Sequence, residues 1–205
     1  MKKHVVVTRM LYEHKKDFLE RLELYKETAL KSLQNQKNKD FDIAVLCNSD
    51  HDKYLKSLGI IPFHRKDGLF GEKTAKGWHS FVDLSGIEGL DKYYIQSNLD
   101  SDDEVLPEYI DKVQELLLGN KKIHLHFQPM LRDYKTKEEK EMATKYSNDC
   151  CSAFFSLYQP VEEGYIYLGC DSHKNMSKYA DKTILLNGFC FVNIHDDNDT
   201  SSMWS

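Results

Sequence analysis

The chain lacks a CxxC cysteine pair, a basic excess and an apolar run long enough to span a bilayer, and each absence removes a class of function. Its five cysteines, Cys47, Cys150, Cys151, Cys170 and Cys190, form an odd, scattered set. Such a set gives neither a disulfide framework nor a zinc ribbon and fits a reducing cytoplasm. The formal net charge is −5 and the lysines are interspersed with acids. No basic field is left to attract a nucleic-acid backbone, so nucleic acid is not an expected partner. The apolar run Val5-Val6-Val7 is interrupted by Thr8 and Arg9, far short of a signal core or a transmembrane segment. Internal repeats and low-complexity linkers are also missing. The expectation is a soluble, unexported, cytoplasmic protein.

The 205 residues suffice for one α/β domain with a sizeable core, whereas two full domains would be cramped. Val5-Val6-Val7 reads as a buried strand of a parallel sheet, with Thr8 and Arg9 at its carboxyl end. Leu11, Phe18, Leu22, Tyr25, Ala29 and Leu33 recur at helical spacing and predict one long amphipathic helix. Phe41 to Cys47 is a second strand, completing a right-handed β-α-β unit. A short helix follows from Asp52 to Leu58, then a strand at 60–63 that Pro62 assigns to an edge. Residues His64 to Gly77 carry three glycines and the basic side chains Arg65, Lys66, Lys73 and Lys76. That composition suits either a mobile loop near phosphates, with Arg65 a contact, or an ordinary solvated connection.

Further along, Trp78 to Leu84 reads as a helix, Tyr93 to Asn98 as a strand, and Pro107 to Leu118 as a helix stopped by Gly119-Asn120. Ile123, Leu125 and Phe127 alternate with polar residues as a strand with one apolar face. The charged segment Arg132 to Lys145 reads as a surface excursion or flexible helix. Ser152 to Tyr158 and Tyr165 to Leu168 suggest antiparallel additions, and a last strand spans 189–194 ahead of a polar tail.

Four Asp-x-Asp spacings occur: Asp40/Asp42, Asp50/Asp52, Asp100/Asp102 and Asp197/Asp199. Open α/β sheets bind ligands at the carboxyl ends of their strands, so position discriminates between them. Asp40/Asp42 lies at an amino end. Asp50/Asp52 follows a strand at the correct edge, where Asp52 is a good N-cap and a nucleoside contact is the other reading. Asp100/Asp102, with Asp103 beside it, follows the strand ending at Asn98. Carboxylates held this close repel one another unless a cation or protons intervene, and oxygen-rich clusters suit Mg²⁺ or Mn²⁺. Capping of the next helix by Ser101, Asp102 and Asp103 is the alternative. His195, ending the last strand, is placed to complete a metal site, although a lone histidine is more often structural. His124 and His126 share a strand face without an evident third ligand, which favours a polar face over zinc.

Taken together, Val5-Val6-Val7-Thr8-Arg9, the Ser32-Leu33-Gln34-Asn35-Gln36 segment before Phe41-Asp42-Ile43, the turn Leu99-Asp100-Ser101-Asp102-Asp103 and the closing His195-x-x-Asn198 resemble the rhamnosyltransferases of the GT-A glycosyltransferase fold. The resemblance implies a single GT-A type domain over 1–205, with a nucleotide-binding half at 1–103 and an acceptor half at 104–205. It implies a mostly parallel nucleotide-binding sheet flanked by helices, with antiparallel additions in the C-terminal part. It also implies a metal-dependent glycosyltransferase of the hexosyltransferase class. The enzyme would move a sugar, rhamnose among the candidates, from a UDP- or dTDP-linked donor to an acceptor hydroxyl on a glycan or glycoprotein.

By this resemblance Asp100 and Asp102 match the DxD element, with Asp102 the direct ligand of Mn²⁺ or Mg²⁺ and Asp100 nearer the ribose or a metal-bound water. Thr8 and Arg9 match the segment that touches the nucleotide; Asp50, read from its strand-end position, Arg65, read from the composition of its loop, and Asn98, at the start of the turn, are further candidate donor contacts. His195 matches a late histidine near metal and diphosphate, although Asp196 stands where the family usually has glycine. Asp171 is the candidate acceptor base of an inverting reaction, with Glu162, Glu163 and Asp149 as alternatives. A sugar nucleotidyltransferase shares the sheet and metal logic but normally has a glycine-rich loop where this chain has Thr8-Arg9-Met10. A non-catalytic carbohydrate-binding module is the other class.

Overall fold

In the computed structural model, residues 4–12, 14–64, 89, 92–118, 123–141, 155–158 and 182–194 are described. Strand β1 (His4–Arg9) is followed by α1 (Lys15–Glu27), α2 (Ala29–Gln34) and β2 (Asp42–Leu46). A 3-10 turn (Ser49–His51), α3 (Asp52–Lys56) and β3 (Ile61–Phe63) come next. The second part holds β4 (Ile95–Asn98), β5 (Glu104–Val105), α4 (Tyr109–Leu117), β6 (Ile123–Asp133), β7 (Glu139–Glu141), β8 (Phe155–Tyr158) and β9 (Lys182–Ile194).

The strands form one sheet in the order β3-β2-β1-β4-β8-β6-β9-β5, with β7 paired to β6. The first four are mutually parallel, as the β-branched runs predict, and β3 is the expected edge. From β8 onward the sheet is mixed: β8 runs antiparallel to both β4 and β6, and β9 runs parallel to β6. Parallel strands require cover on both faces, and β1 shows it. Val6 joins Phe18, Leu22, Tyr25, Leu33, Ile110 and Val113 in the main core. Val5 and Val7 pack on the opposite face with Ala44, Leu46, Phe63 and Tyr93. Each large side chain buried in this way contributes roughly 1.5–3 kcal/mol.

Four elements differ from expectation. The long helix is two helices broken at Thr28, whose backbone leaves the helical region at φ −114°, ψ −95°. The Thr28 hydroxyl donates to Leu24 O at 2.7 Å and approaches Ser101 O at 3.1 Å, so a bond back along the helix and one across the fold hold the break. Secondly, Asp52 opens α3 without capping it; its carboxylate instead meets Lys56 and His64. The charged segment is, thirdly, over its described part, 132–141, the end of β6 and the hairpin to β7. Arg132 is largely buried, pairing with Glu104 at 2.8 Å and Glu139 at 2.7 Å, with its guanidinium 3.5 Å over the Phe191 ring. Charge alone is thus a poor guide to exposure when the cation is paired and stacked. Finally, the last strand begins at Lys182 rather than near 189.

The longer β9 passes through an irregularity: Gln128 faces Asn187 but Met130 faces Phe191, so β9 advances four residues while β6 advances two. Gly188 sits in this stretch at φ +80°. Among the described residues, chain neighbours aside, nothing lies within 4 Å of a Cβ built there, so among them the resistance to a side chain is that of the backbone. Gly188→Ala is expected to lower unfolding free energy by about 1–2 kcal/mol, the cost of a left-handed non-glycine residue, read from urea denaturation.

The Ser32 to Gln36 segment acts as a clamp. Ser32 Oγ accepts from the Val105 N–H at 3.2 Å. The buried Gln36 donates to Leu106 O at 2.7 Å and accepts the Ile110 N–H at 3.0 Å. These bonds fix β5 and the first turn of α4 against α2, and thereby hold the far end of the acidic segment. The predicted helix at Trp78 to Leu84, the strand at Tyr165 to Leu168 and the Gly119-Asn120 stop lie outside the described residues, as does nearly all of the loop from His64 to Gly77.

Candidate functional site

The carboxyl ends of β1, β2 and β4 lie side by side, as the registers Arg9↔Leu46 and Val7↔Asn98 require. Thr8 and Arg9, Asp50 and the run from Asn98 to Asp103 therefore share one edge of the parallel sheet. Backbone bonds extend the pairing past the strands: Met10 N–H donates to Leu46 O at 2.9 Å, and Leu99 N–H to Val7 O at 3.2 Å. The Asn48 amide donates to Tyr12 O at 2.8 Å, and His51 stacks on Phe18 at 3.9 Å between ring centres. The loops after β1 and β2 are thus laced together on α1.

Thr8 is wholly enclosed and Arg9 partly exposed. The buried Thr8 hydroxyl lies by the Tyr25 hydroxyl, and neither makes a hydrogen bond of ordinary geometry among the described residues. Asp50 is exposed in the 3-10 turn, and Asn98 is buried at the end of β4.

The acidic turn is bound on two sides. Arg21, from α1, places one guanidinium nitrogen 2.7 Å from Asp102 Oδ1 and donates through Nε to Ser101 Oγ at 2.6 Å. Asn193, from β9, donates its backbone N–H to Asp103 Oδ1 at 3.2 Å, and its side-chain amide donates to Asp102 O at 2.7 Å and Glu104 Oε1 at 3.1 Å. The turn leads into β5, and α4 starts only at Tyr109 with Glu108 before it. Ser101, Asp102 and Asp103 consequently do not cap that helix. The capping reading fails because β5, which the sequence pattern does not announce, intervenes.

Burial, followed by the charges of Asp102 and Asp100, pushes the Asp103 carboxyl well above the ordinary carboxylate range, against the opposing pull of the Asn193 N–H and Arg21. Tyr12 is raised too, first by burial and then by Asp102, Asp17 and Asp100, with Arg21 opposing. These couplings place Tyr12, Arg21 and the three turn carboxylates in one electrostatic neighbourhood.

This neighbourhood bears on a divalent cation. Asp103 is committed to β9 and held toward its neutral form, whereas Asp100 is half-buried and Asp102 shares an oxygen with Arg21. One guanidinium against this acid density leaves negative charge for a cation to offset. Among the described residues the turn does not itself bring three ligand atoms together. Mg²⁺ and Mn²⁺ sites are commonly completed by substrate phosphates and water beside one or two carboxylates, and Asp100 with Asp102 fit that pattern.

Arg65, Asp171 and His195 lie outside the described residues, together with Asp149, Glu162 and Glu163, and so do the side chains of His124 and His126. Arg21 and Asn193 are the site residues that sequence reasoning missed. Asn193 had a signal, being an amide between the apolar Val192 and Ile194 of a buried strand. Arg21 had none, because Glu20 and Glu23 around it read as an ordinary solvated helix face.

The architecture is an α/β fold of GT-A type, with a four-strand parallel sheet and a mixed extension. No protein-family model matches the sequence, nor does any curated protein. Among solved structures the chain is similar to residues 1–349 of S. aureus TarS in complex with UDP-GlcNAc, with TM-score 0.59 and 13% identity over 98% of this chain and 61% of that one. The same TarS fragment with UDP gives TM-score 0.55 and 15% identity over 94% of this chain and 60% of that one. The chain spans about three fifths of those fragments and 37% of the longer TarS structure, to which it is 16% identical at TM-score 0.53. No described helix is long and apolar enough to cross a membrane.

Proposed function

We propose that this chain is a metal-dependent glycosyltransferase that moves a hexose from a nucleoside-diphosphate sugar to an acceptor hydroxyl on a glycan or glycoprotein. UDP and dTDP are the candidate nucleotides, and rhamnose is among the candidate sugars. The observation that carries this reading is the placement of the Asn98 to Asp103 turn. It sits at the carboxyl edge of the parallel sheet, beside the ends of β1 and β2, and caps no helix. The likeness of the fold to TarS, which is seen with UDP-GlcNAc and UDP, supports a UDP-linked donor.

In this reading Asp100 and Asp102 hold Mn²⁺ or Mg²⁺, with His195 as the further ligand that the family resemblance implies. When bound, the cation supplies Lewis-acid neutralisation of the charge that gathers on the departing diphosphate. The chain's own residues do the rest. Arg21 sets the Asp102 carboxylate and anchors Ser101, so the turn is oriented before donor arrives. Asn193 fixes the opposite side of the turn to β9. Arg9 and Asp50 are the more open side chains at the edge where the nucleotide would lie, with the buried Thr8 and Asn98 behind them, and Arg65 would reach its phosphates. Asp171 is the proposed acceptor base if the reaction inverts configuration.

Titration calorimetry with UDP in the presence and absence of Mn²⁺ tests this reading. The expected result is binding that needs the metal, and donor turnover releasing nucleoside diphosphate. A chain that binds free sugar but neither UDP nor dTDP, with or without Mn²⁺, would be a carbohydrate-binding module instead.

A further inference from the structure

A second group of metal-type side chains lies two strands away from the acidic turn, at the β2 and β3 end of the same sheet edge. Cys47 follows β2, Asp52 begins α3 and His64 follows β3; one ligand atom from each falls within a sphere of mutual distances below 4.8 Å. Their arrangement is built by the backbone. Cys47 N–H donates to Phe63 O at 3.0 Å, tying the two strand ends together. His64 Nδ1 lies 3.0 Å from Cys47 O, and its Nε2 lies 2.8 Å from Asp52 Oδ1.

Both nitrogens of this ring face oxygen acceptors. With the Nδ1 proton given to Cys47 O, a neutral ring turns the Nε2 lone pair toward a carboxylate, which is repulsive at that distance. A cation beside Nε2 would remove that repulsion. Asp52 Oδ1, 2.8 Å from Nε2 and buried, accepts no hydrogen bond of ordinary geometry among the described residues. The other carboxylate oxygen is already met by Lys56 at 2.7 Å. A carbonyl that fixes the imidazole tautomer and frees Nε2 is the usual support of a metal-bound histidine.

We propose that Cys47, Asp52 and His64 bind Zn²⁺, through Sγ, Oδ1 and Nε2, with water in the fourth position. Thiolate, imidazole and carboxylate together select zinc over the hard cations suited to the acidic turn. Burial and then the nearby Asp52 charge push the Cys47 thiol up to about 12. The group is therefore a thiol without metal at neutral pH, and zinc entry forms the S–Zn bond as that proton passes to solvent. The ion would staple β2, α3 and the segment after β3, independently of any nucleotide.

The test uses the full chain stripped of metal. Titration with Co²⁺ should give thiolate-to-cobalt charge-transfer absorbance. Zn²⁺ about a hundredfold above its Kd should raise Tm by on the order of 5–10 °C. Cys47→Ser should abolish the absorbance, and His64→Gln should weaken Co²⁺ affinity by at least about tenfold, whereas Asp102→Ala should retain both signals. Absorbance that survives Cys47→Ser overturns the site, since the four other cysteines would then be responsible. So does a Tm indifferent to zinc. Should Cys47→Ser fail to fold, unchanged Co²⁺ affinity in His64→Gln, whose ring is partly exposed, overturns it alone.

Discussion

Asp102→Ala is expected to lose Mn²⁺-dependent binding of UDP while retaining the far-UV circular dichroism of the fold. Changes in the outer shell of a metal site already cost about 10–100-fold, so removal of a direct ligand should weaken binding by at least that much. The substitution also leaves the Arg21 guanidinium without its 2.7 Å partner in a region where the two side chains are only 23% and 10% exposed. Orphaning a charge that is partly reached by solvent costs about 1–3 kcal/mol. A stability loss on its own would therefore mimic a loss of function. Arg21→Ala separates the two effects, because it breaks the same ion pair but leaves the carboxylate in place. Similar unfolding free energies for the two variants, with Mn²⁺-dependent UDP binding lost in Asp102→Ala but only weakened in Arg21→Ala, where the turn is loosened and the carboxylate kept, is the expected pattern. If both variants lose binding equally, Asp102 acts through Arg21 as a structural group, and the metal reading falls.

The parts of the fold that were legible in the sequence are those in which local pattern and burial coincide. Val5-Val6-Val7 and Ile43 to Leu46 are β-branched or apolar throughout because both faces of the parallel sheet are covered, and Pro62 marks an edge because it cannot donate to a ladder. The break at Thr28 was not legible, since the apolar stripe of α1 continues into α2. What stops the helix is a hydroxyl drawn to Ser101, 73 residues away. The pairing of β6 with β9 is likewise a long-range choice, joining Ile123 to Lys182, and no window of sequence contains it. The same holds for the site. Strand-end position set aside Asp40/Asp42, whereas the late His195 and the order of the family motifs, not position alone, favoured Asp100 and Asp102 over Asp50/Asp52. The groups that orient the acidic turn, Arg21 from α1 and Asn193 from β9, become visible only when three distant segments meet.

Asp103→Asn is expected to flatten the alkaline side of the stability profile. In the folded chain the Asp103 carboxyl is pushed above its ordinary range by burial, then by Asp102 and Asp100. The native state therefore holds a proton that the unfolded chain has released, and stability falls as pH rises from the ordinary carboxylate pKa through the folded one. His4 works in the opposite sense. Burial lowers it from 6.5 to about 3, so only the unfolded chain gains its proton below about pH 6.5, and stability declines toward acid. The asparagine amide retains an oxygen for the Asn193 N–H, bonded at 3.2 Å in the native chain, but has nothing to ionise. Urea midpoints should thus be higher for the variant than for the native chain at pH 8, converge with it below pH 4, and show the same acid decline from His4 in both. An Asp103→Asn variant that loses as much stability between pH 5 and 8 as the native chain would show that Asp103 is already ionised at pH 5. The result also bears on the site, because a protonated Asp103 would spare Asp100 and Asp102 the repulsion of a third charge.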